Sequence, residues 1–151
     1  MFLTKRKAFT LVELMLVVII IGILVAMVVP RLAGRSEQAR RAAAQADIEA
    51  NLAIALDLYE LDNGNYPTTE QGLSALVKAP TSAPVPENWS GPYLKKKKIP
   101  LDSWGRPYKY ACPGIRNIED YDLFSLGADG VEGGGDDVVN WEEKEASEKN
   151  K

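Results

Sequence analysis

Three aspartates close to the C-terminal end of the chain are the residues best suited to bind a ligand. Asp129, Asp136 and Asp137 lie in the segment SLGADGVEGGGDD, where glycines separate them. Carboxylate oxygens, with backbone carbonyls that flexible glycines turn inward, are the ligands that Ca²⁺ prefers. The spacing is not that of an EF-hand, because Val131 and Gly133 stand two and four positions after Asp129. From the residues alone, a calcium site and a solvated acidic turn both remain open.

A further candidate residue, Glu13, lies at the edge of an apolar run that extends over residues 14–29 and is interrupted only by Gly22. An ionisable side chain inside a membrane helix costs about 3 kcal/mol even on the lenient insertion scale, so its default interpretation is functional. The alternative is that Glu13 lies near the lipid headgroups and its side chain extends to them. The apolar run itself does not decide between the two.

The chain lacks histidine, the side chain that most often acts as a general acid or base. It has no His and a single cysteine, Cys112, so histidine chemistry and an intramolecular disulfide are both excluded. We predict that Cys112 is a small buried residue and not a nucleophile, since no His can activate it. The formal net charge is −3, and the positive charge is concentrated at residues 5–7 and 95–98. This composition indicates a non-enzymatic protein that does not bind nucleic acid.

The lysine run at residues 95–98 has two interpretations. The simpler one is a solvated loop. The other is a contact with acidic patches of neighbouring subunits or with anionic lipid headgroups.

The N-terminal apolar segment, residues 9–30, is predicted to form a membrane-spanning helix, because it reaches about 30 Å at 1.5 Å per residue. The basic residues 5–7 precede it, so the positive-inside rule keeps the N-terminus cytoplasmic and sends the rest to the far side. A removable secretory signal is disfavoured, since VVPRLAGRSEQARRAAAQ continues into helix-forming sequence.

The helix is predicted to continue past a bend at Pro30 and Gly34 through an amphipathic half, residues 31–61. Apolar residues recur there at spacings of three and four, and they are Ala44, Ile48, Leu52, Ala55, Leu56 and Tyr59. DNGNYP ends the helix. A coiled coil is disfavoured because the stripe is short, alanine-rich and without sustained heptads, so packing on a sheet of the same subunit is expected.

Residues 62–141, called the head below, are predicted to form the α+β part of the fold. Thr68 to Gln71 is a capping-box pattern that begins a short helix. A Pro-rich loop follows, in which Trp89 and Tyr93 are expected to fold back as anchors. GRPYKYACP and EDYDLFSLG read as two antiparallel strands joined by GIRNI. The highly charged residues 142–151 are predicted to be a flexible tail.

Several segments carry a resemblance to a known family. KAFTLVELMLVVIIIGILVAMVVP resembles the class III signal of type IV pilins and pseudopilins. YPTTEQGLSALV, PLDSWGRPYKY and YDLFSLGADGVEGGGDD followed by NW resemble the major pseudopilins of type II secretion systems, and the likeness extends from Phe9 to Trp141. The resemblance implies a pilin-like fold with a long N-terminal helix packed on a small antiparallel sheet. It also implies a structural subunit that polymerises through this helix into a periplasmic filament, which drives export of folded proteins across the outer membrane.

The resemblance assigns roles to the N-terminal residues. A prepilin peptidase would cut between Ala8 and Phe9, which makes residues 1–8 a leader peptide, and would methylate the Phe9 amine. Glu13 would then neutralise the Phe9 amine of a neighbouring subunit during assembly, where a low dielectric strengthens the attraction. Ala8 departs from the family, which usually has Gly at this position, so slower processing is expected.

The resemblance also favours calcium in the acidic loop. The ligands that it implies are Leu126, Asp129, Val131, Gly134, Asp136 and Asp137. Asp129 and Asp136 would contribute side-chain oxygens, which Asp137 could replace or assist, and the others main-chain carbonyls. Gly134 stands where the family often has a hydroxyl residue, so one side-chain ligand would be missing. The ion would stabilise a loop that has few apolar residues of its own.

The implied partners are further copies of the chain, minor pseudopilins, the prepilin peptidase, the inner-membrane secretion platform and membrane lipid. The implied location is the inner membrane, single-pass, with the head in the periplasm. Two alternatives remain: a type IV pilus pilin, although these commonly close the C-terminal region with a disulfide, and a membrane-anchored periplasmic binding module or enzyme.

Overall fold

The computed structural model describes residues 9–142, with the backbone alone for residues 28–33. The predicted leader, including Ala8, and residues 143–151 of the predicted tail lie outside the described residues. The chain divides into two compact units, one ending at Gln38 and the other beginning at Ala39, and each is described separately.

Helix α1, Leu11–Ala46, contains most of the first unit. Thr10 caps its start, because the Thr10 hydroxyl accepts a hydrogen bond from the Glu13 backbone amide at 3.2 Å. The helix continues through Pro30 and Gly34 as predicted, and the bend expected at these two residues stays a prediction. Among the described residues, no helix has the length and apolar character that crossing a bilayer requires.

A π-helical segment, Asp47–Leu52, separates α1 from helix α2, Ala53–Asn63. This segment was not predicted. An α-helix advances about 100° per residue, so every four-residue step drifts by about 40° from a full turn. The wider π turn compensates for this drift between Ile48 and Leu52, and both side chains are buried. Gly64 ends α2 with φ 80°, as the DNGNYP pattern predicted.

The predicted apolar stripe is the helical half of the hydrophobic core. All six of its residues are at most 2% exposed. They pack against buried side chains of the head, which include Leu73, Leu76, Leu123 and Val138. The stripe is therefore covered within its own subunit, as predicted. It has no exposed apolar seam with which to form the alternative, a coiled coil.

The head carries a three-stranded antiparallel sheet in the order β1-β2-β3. Its strands are β1, Lys109–Ala111, β2, Asp122–Ser125, and β3, Val138–Val139. The predicted hairpin is confirmed, with Tyr110 opposite Leu123. Strand β3 was missed because two residues show no alternation, and Asn140 holds it by bonding to both backbone groups of Leu123, at 2.9 and 3.1 Å.

The capping box is confirmed, because Thr68 and Gln71 each accept a hydrogen bond from the other's backbone amide, at 3.3 and 3.1 Å. The helix that follows is a 3₁₀ turn, Gly72–Leu76. The Trp89 indole donates to the Ala75 carbonyl at 2.8 Å, which confirms its anchoring role.

Tyr93 is the second anchor of the long loop. Its ring packs edge-on against Tyr59, with centroids 5.6 Å apart, and its hydroxyl donates to Asp62 at 2.8 Å. Hydrogen bonds from the Ser90 and Tyr93 hydroxyls hold the pKa of Asp62 below its usual value. Cys112 is a free thiol that is only half-buried, so the prediction of a buried residue is not met in full. Its partial burial raises the pKa of the thiol, which disfavours the reactive thiolate.

Candidate functional site

The acidic loop, residues 126–137, connects β2 to β3. Gly127 has φ +60°, and a Cβ at this position would lie 2.3 Å from the Asp136 carbonyl oxygen. Only glycine permits both this backbone conformation and this approach. The glycines of the sequence pattern therefore bring the two ends of the loop together.

Asp129 and Asp136, the two predicted side-chain ligands, lie next to each other. The Asp136 carboxylate accepts hydrogen bonds from the backbone amides of Ala128 and Asp129, at 2.5 and 3.0 Å. The Asp129 amide is the main cause that lowers the pKa of Asp136, and the partial burial of the carboxylate opposes it. Asp129 in turn accepts from the Val131 amide at 2.8 Å.

Each of the last two aspartates keeps one unpaired oxygen inside the loop. Asp136 Oδ1 and Asp137 Oδ1 are buried and have no hydrogen-bond partner. The other oxygen of Asp137 accepts from the Gly133 amide at 2.8 Å. Buried polar atoms normally have partners, so two such oxygens in one loop suit a bound cation.

The predicted main-chain ligands lie along the same loop. The Leu126 and Val131 carbonyls accept from the amides of Gly130 and Gly134, at 3.1 and 3.2 Å, and each keeps a second lone pair. A Cβ at Gly134 would lie 2.2 Å from Asp129 Oδ2, so the Gly134 backbone approaches that carboxylate closely.

Within the described residues, no three His, Cys, Asp or Glu side chains converge to hold a metal ion. The predicted set requires only two, because Asp129 and Asp136 are its side-chain ligands, Asp137 replaces or assists Asp136, and main-chain carbonyls supply the rest. Such an all-oxygen set fits calcium, which accepts flexible geometry, better than magnesium, which demands an octahedron. The calcium site stays a prediction that these contacts fit.

A buried carboxylate, Asp102, positions the start of the loop and was missed from the sequence. It is 5% exposed and accepts from the Ser125 hydroxyl at 2.6 Å and from the Arg106 amide at 2.7 Å. Ser125 accepts in turn from the Gly127 amide at 3.3 Å. A local signal existed, because Asp and Gly at the first and fourth positions of DSWG are typical of a β-turn. Gly105 donates to the Asp102 carbonyl at 3.0 Å to close that turn.

Two arginines bind carbonyls of the acidic loop. The Arg106 guanidinium donates to the Gly127 carbonyl, and its Nε lies 3.9 Å from Asp102. Arg41, on α1, donates to the Gly135 carbonyl at 3.4 Å. The two guanidinium groups attach the two ends of the loop to the rest of the second unit.

The N-terminal candidate residues lie at the start of α1. Phe9 is 76% exposed and precedes the helix by two residues. Glu13 is exposed in the first helical turn, where a negative charge favours the helix dipole. These residues belong to the first compact unit, and the acidic loop belongs to the second.

Comparison with known proteins first defines the class. Residues 3–29 match the model of the prokaryotic N-terminal methylation motif. The fold matches the crystal structure of the major pseudopilin from the type 2 secretion system of enterohaemorrhagic Escherichia coli, with a TM-score of 0.64 and 43% sequence identity. That match covers 73% of this chain and 89% of the other. The protein therefore has the pilin-like fold that the sequence predicted.

The family follows from the rest of the chain. Residues 31–141 match the model of type II secretion system protein G. Core protein G of Pseudomonas aeruginosa is 52% identical over 142 residues, which cover 91% of this chain and 96% of that protein. Core protein G of Vibrio cholerae is 50% identical, with 91% and 92% covered. The chain belongs to the type II secretion system protein G family.

Proposed function

We propose that this chain is the repeating structural subunit of a type II secretion pseudopilus. In this function it polymerises through its N-terminal helix into a periplasmic filament that drives the export of folded proteins, and it catalyses no reaction. The observation that carries the proposal is the family match, since the two family models together cover residues 3–29 and 31–141. The pilin-like fold of the described residues supports it.

Processing at the N-terminus is the first step of the proposed assembly. The peptidase would cut between Ala8 and Phe9 and methylate the new amine. The structure supports this placement, because Thr10 caps the helix and exposed Phe9 lies just ahead of it. The cut would leave a chain whose helix begins two residues after its free end.

The helical half at residues 9–30 is proposed to cross the inner membrane once, with the N-terminus cytoplasmic and the head periplasmic. The apolar side chains described between Phe9 and Met27 support this, since the large ones are 46% to 76% exposed. In water such a surface would be strongly unfavourable, whereas lipid or neighbouring helices would cover it.

Glu13 is proposed to form an ion pair with the amine of Phe9 in a neighbouring subunit. In the low dielectric of the membrane, an unpaired carboxylate is strongly destabilised, and an opposite charge a few ångströms away restores its stability. The pairing would therefore favour insertion of each new subunit beside an existing one. The two groups lie four positions apart within one chain, which fits a contact between neighbours offset along the filament.

Calcium is proposed to bind the acidic loop through Asp129 and Asp136, with Asp137 assisting and with the carbonyls of Leu126, Val131 and Gly134. The ion would supply positive charge to carboxylate oxygens that otherwise lack partners. Asp102, Ser125 and Arg106 would position the loop for the ion, because their hydrogen bonds hold its first residues in place. Chelation should lower the melting temperature of the head, and unchanged melting would exclude the site.

Minor pseudopilins, the prepilin peptidase and the inner-membrane platform are proposed as partners. They follow from membership of the family, because a filament of this class is assembled with other components of its secretion system.

Mass spectrometry of the mature N-terminus tests the proposed function directly. A chain that begins with methylated Phe9 is the expected result, and an intact Met1 would contradict the filament subunit and favour a plain membrane anchor. Lys5→Ala serves as a matched control, since it changes the leader without altering the two residues at the cut.

A further inference from the structure

The first turn of the acidic loop, residues 126–130, carries the groups on which the proposed calcium site depends. The last amide of the turn closes it by donating to the Leu126 carbonyl at 3.1 Å. Two of the proposed ligands, the Leu126 carbonyl and the Asp129 carboxylate, belong to the turn. A third ligand, Asp136, is held by the turn, because its carboxylate accepts from two of the turn's amides. The conformation of the first turn therefore sets the relative positions of three ligands.

The Arg106 guanidinium lies directly against the first turn. Its Nη2 donates a hydrogen bond to the Gly127 carbonyl. A Cβ at Gly130 would lie 2.5 Å from Nη1, so the guanidinium occupies the space that any side chain at this position would need. Glycine at position 130 therefore lets the guanidinium touch the backbone of the turn close to both of its ends.

Arg106 is itself fixed to the sheet through buried Asp102. The Arg106 amide donates to the Asp102 carboxylate, and the Asp102 amide donates to the Arg106 carbonyl, both at 2.7 Å. The partly buried Arg106 side chain places its Nε 3.9 Å from the same carboxylate, which also accepts from Ser125 at the end of β2. A guanidinium held in this way is a rigid connection between the sheet and the turn, since its planar group has little freedom left to lose.

Arg106 can affect calcium binding in two opposite ways. Its positive charge repels the ion, and this effect alone would weaken binding. Its contacts with the turn hold the ligands in place, and this effect would strengthen binding. Arg106 forms its ion pair with Asp102 and none with a carboxylate of the loop among the described residues, so its charge is directed away from the ligands. The geometry therefore favours the second effect.

We propose that Arg106 sets the calcium affinity of the acidic loop as a positioning residue, by locking the first turn in the ion-binding conformation before the ion arrives. The Leu126 carbonyl, Asp129 and Asp136 are then already in place, so ion binding need not order them. This inference rests on the proposed function, and in particular on its calcium site.

Calorimetric titration of the full chain with calcium, in detergent, tests the proposal. Arg106→Ala should weaken calcium binding at least tenfold. Arg106→Lys keeps the charge but loses the planar fork, so it should weaken binding at least threefold. Arg41→Ala is the matched control and should change binding less than twofold, because this exposed arginine makes only one long hydrogen bond to a loop carbonyl, at 3.4 Å. Unchanged or tighter binding by Arg106→Ala would overturn the proposal, and so would a lysine variant that binds like the original chain.

Two glycines of the loop give an independent comparison. Gly130 and Gly133 have similar positive φ values, +75° and +82°, but a Cβ at Gly133 would meet no atom within 4 Å. Alanine strains the backbone at both positions, and only at Gly130 does it also displace Arg106. Gly130→Ala should therefore weaken calcium binding about threefold more than Gly133→Ala. The excess should vanish in an Arg106→Ala background, and an excess that persists there would contradict the proposal.

Amide hydrogen exchange in the calcium-free chain shows whether Arg106 locks the turn or only stabilises the head. The amides of Ala128 and Asp129 should exchange at least tenfold faster in Arg106→Ala. The amides of residues 115–117, which the Asp122 carboxylate holds outside the loop, should be unchanged. Equal protection of the loop amides, or a uniform increase across the head, would each count against a locked turn. Should the alanine variant fail to fold, Arg106→Lys tests the same amides.

The outcomes separate this inference from the proposed function. If the unaltered chain binds no calcium, the calcium site fails and the inference fails with it, while the mass of the mature N-terminus still tests the filament subunit. If the unaltered chain binds calcium and the Arg106 variants bind it equally well, the inference alone is wrong.

Discussion

Replacing Asp102 with alanine should strongly destabilise the head and disorganise the acidic loop. The Asp102 carboxylate is 5% exposed and accepts hydrogen bonds from the Ser125 hydroxyl and from the amides of Trp104 and Arg106, at 2.6, 3.0 and 2.7 Å. Alanine removes all three acceptor contacts. Because Ser125 is fully buried, its hydroxyl cannot turn to water for a substitute.

The size of the effect follows from these contacts. A buried donor left without a partner costs about 1–3 kcal/mol, and the two amides and the weakened Arg106 pair at 3.9 Å add to it. The Arg106 side chain is 31% exposed, so solvent screening makes its share small. We expect a total of about 3 kcal/mol, which for a domain of this size lowers the melting temperature by about 12–24 °C.

The assay is thermal unfolding of a fragment that begins at Ala39, where the second compact unit begins. Glu119→Ala is the matched control, because this carboxylate is exposed, and its loss should change stability by less than about 0.5 kcal/mol. The double variant Asp102→Ala with Ser125→Ala should be less destabilised than the sum of the two single variants, since the buried Ser125 hydroxyl is then no longer present as a donor without an acceptor.

A loss below about 1 kcal/mol for Asp102→Ala would refute this reasoning. Strict additivity in the double variant would show that the hydroxyl and the carboxylate do not depend on each other. The response to calcium provides a further check, since an Asp102→Ala head that gains as much stability from the ion as the original would show that Asp102 does not position the loop.

Three further predictions concern the head. Leu52→Ala removes a fully buried side chain and should cost about 2–5 kcal/mol in urea unfolding, whereas Val85→Ala at an exposed position should be nearly neutral. Thr68→Ala should cost about 1 kcal/mol through loss of the capping box, and unchanged stability would contradict that role. Burial raises the pKa of Tyr108 and Tyr121, so above pH about 10 the unfolded chain releases protons that the native state retains. The stability that these two tyrosines contribute should therefore be fully present below that pH and be lost above it. An ultraviolet titration in which both tyrosines ionise at their ordinary pKa in the folded protein would contradict this prediction.

The features that the sequence predicts correctly are those with a local pattern. The buried stripe from Ala44 to Tyr59 follows from spacings of three and four, and the hairpin follows from two apolar runs joined by a short connection. The proximity of Asp129 and Asp136 was anticipated because the glycines between them permit a tight loop. In each case, neighbouring positions of the chain already contain the information.

The features that were missed depend on distant residues. The carboxylate of Asp102 meets Ser125 across 23 positions, and Arg106 reaches the Gly127 carbonyl across 21. No local periodicity signals such pairs. The π-helical segment arises from the fit of a long helix to the head, and a two-residue strand such as β3 is formed only by its neighbour β2.

The central claim, that Glu13 is tolerated in an apolar helix because it pairs with the Phe9 amine of a neighbouring subunit, is tested most directly by Glu13→Gln. The measurement is the fraction of membrane-inserted subunit recovered in filaments, with Glu13→Asp as the variant that keeps the charge. The neutral variant should insert at least as well and lose assembly about tenfold or more, while the aspartate variant keeps a substantial part of it. Filament yield and protein export that are unchanged in the glutamine variant would contradict the claim.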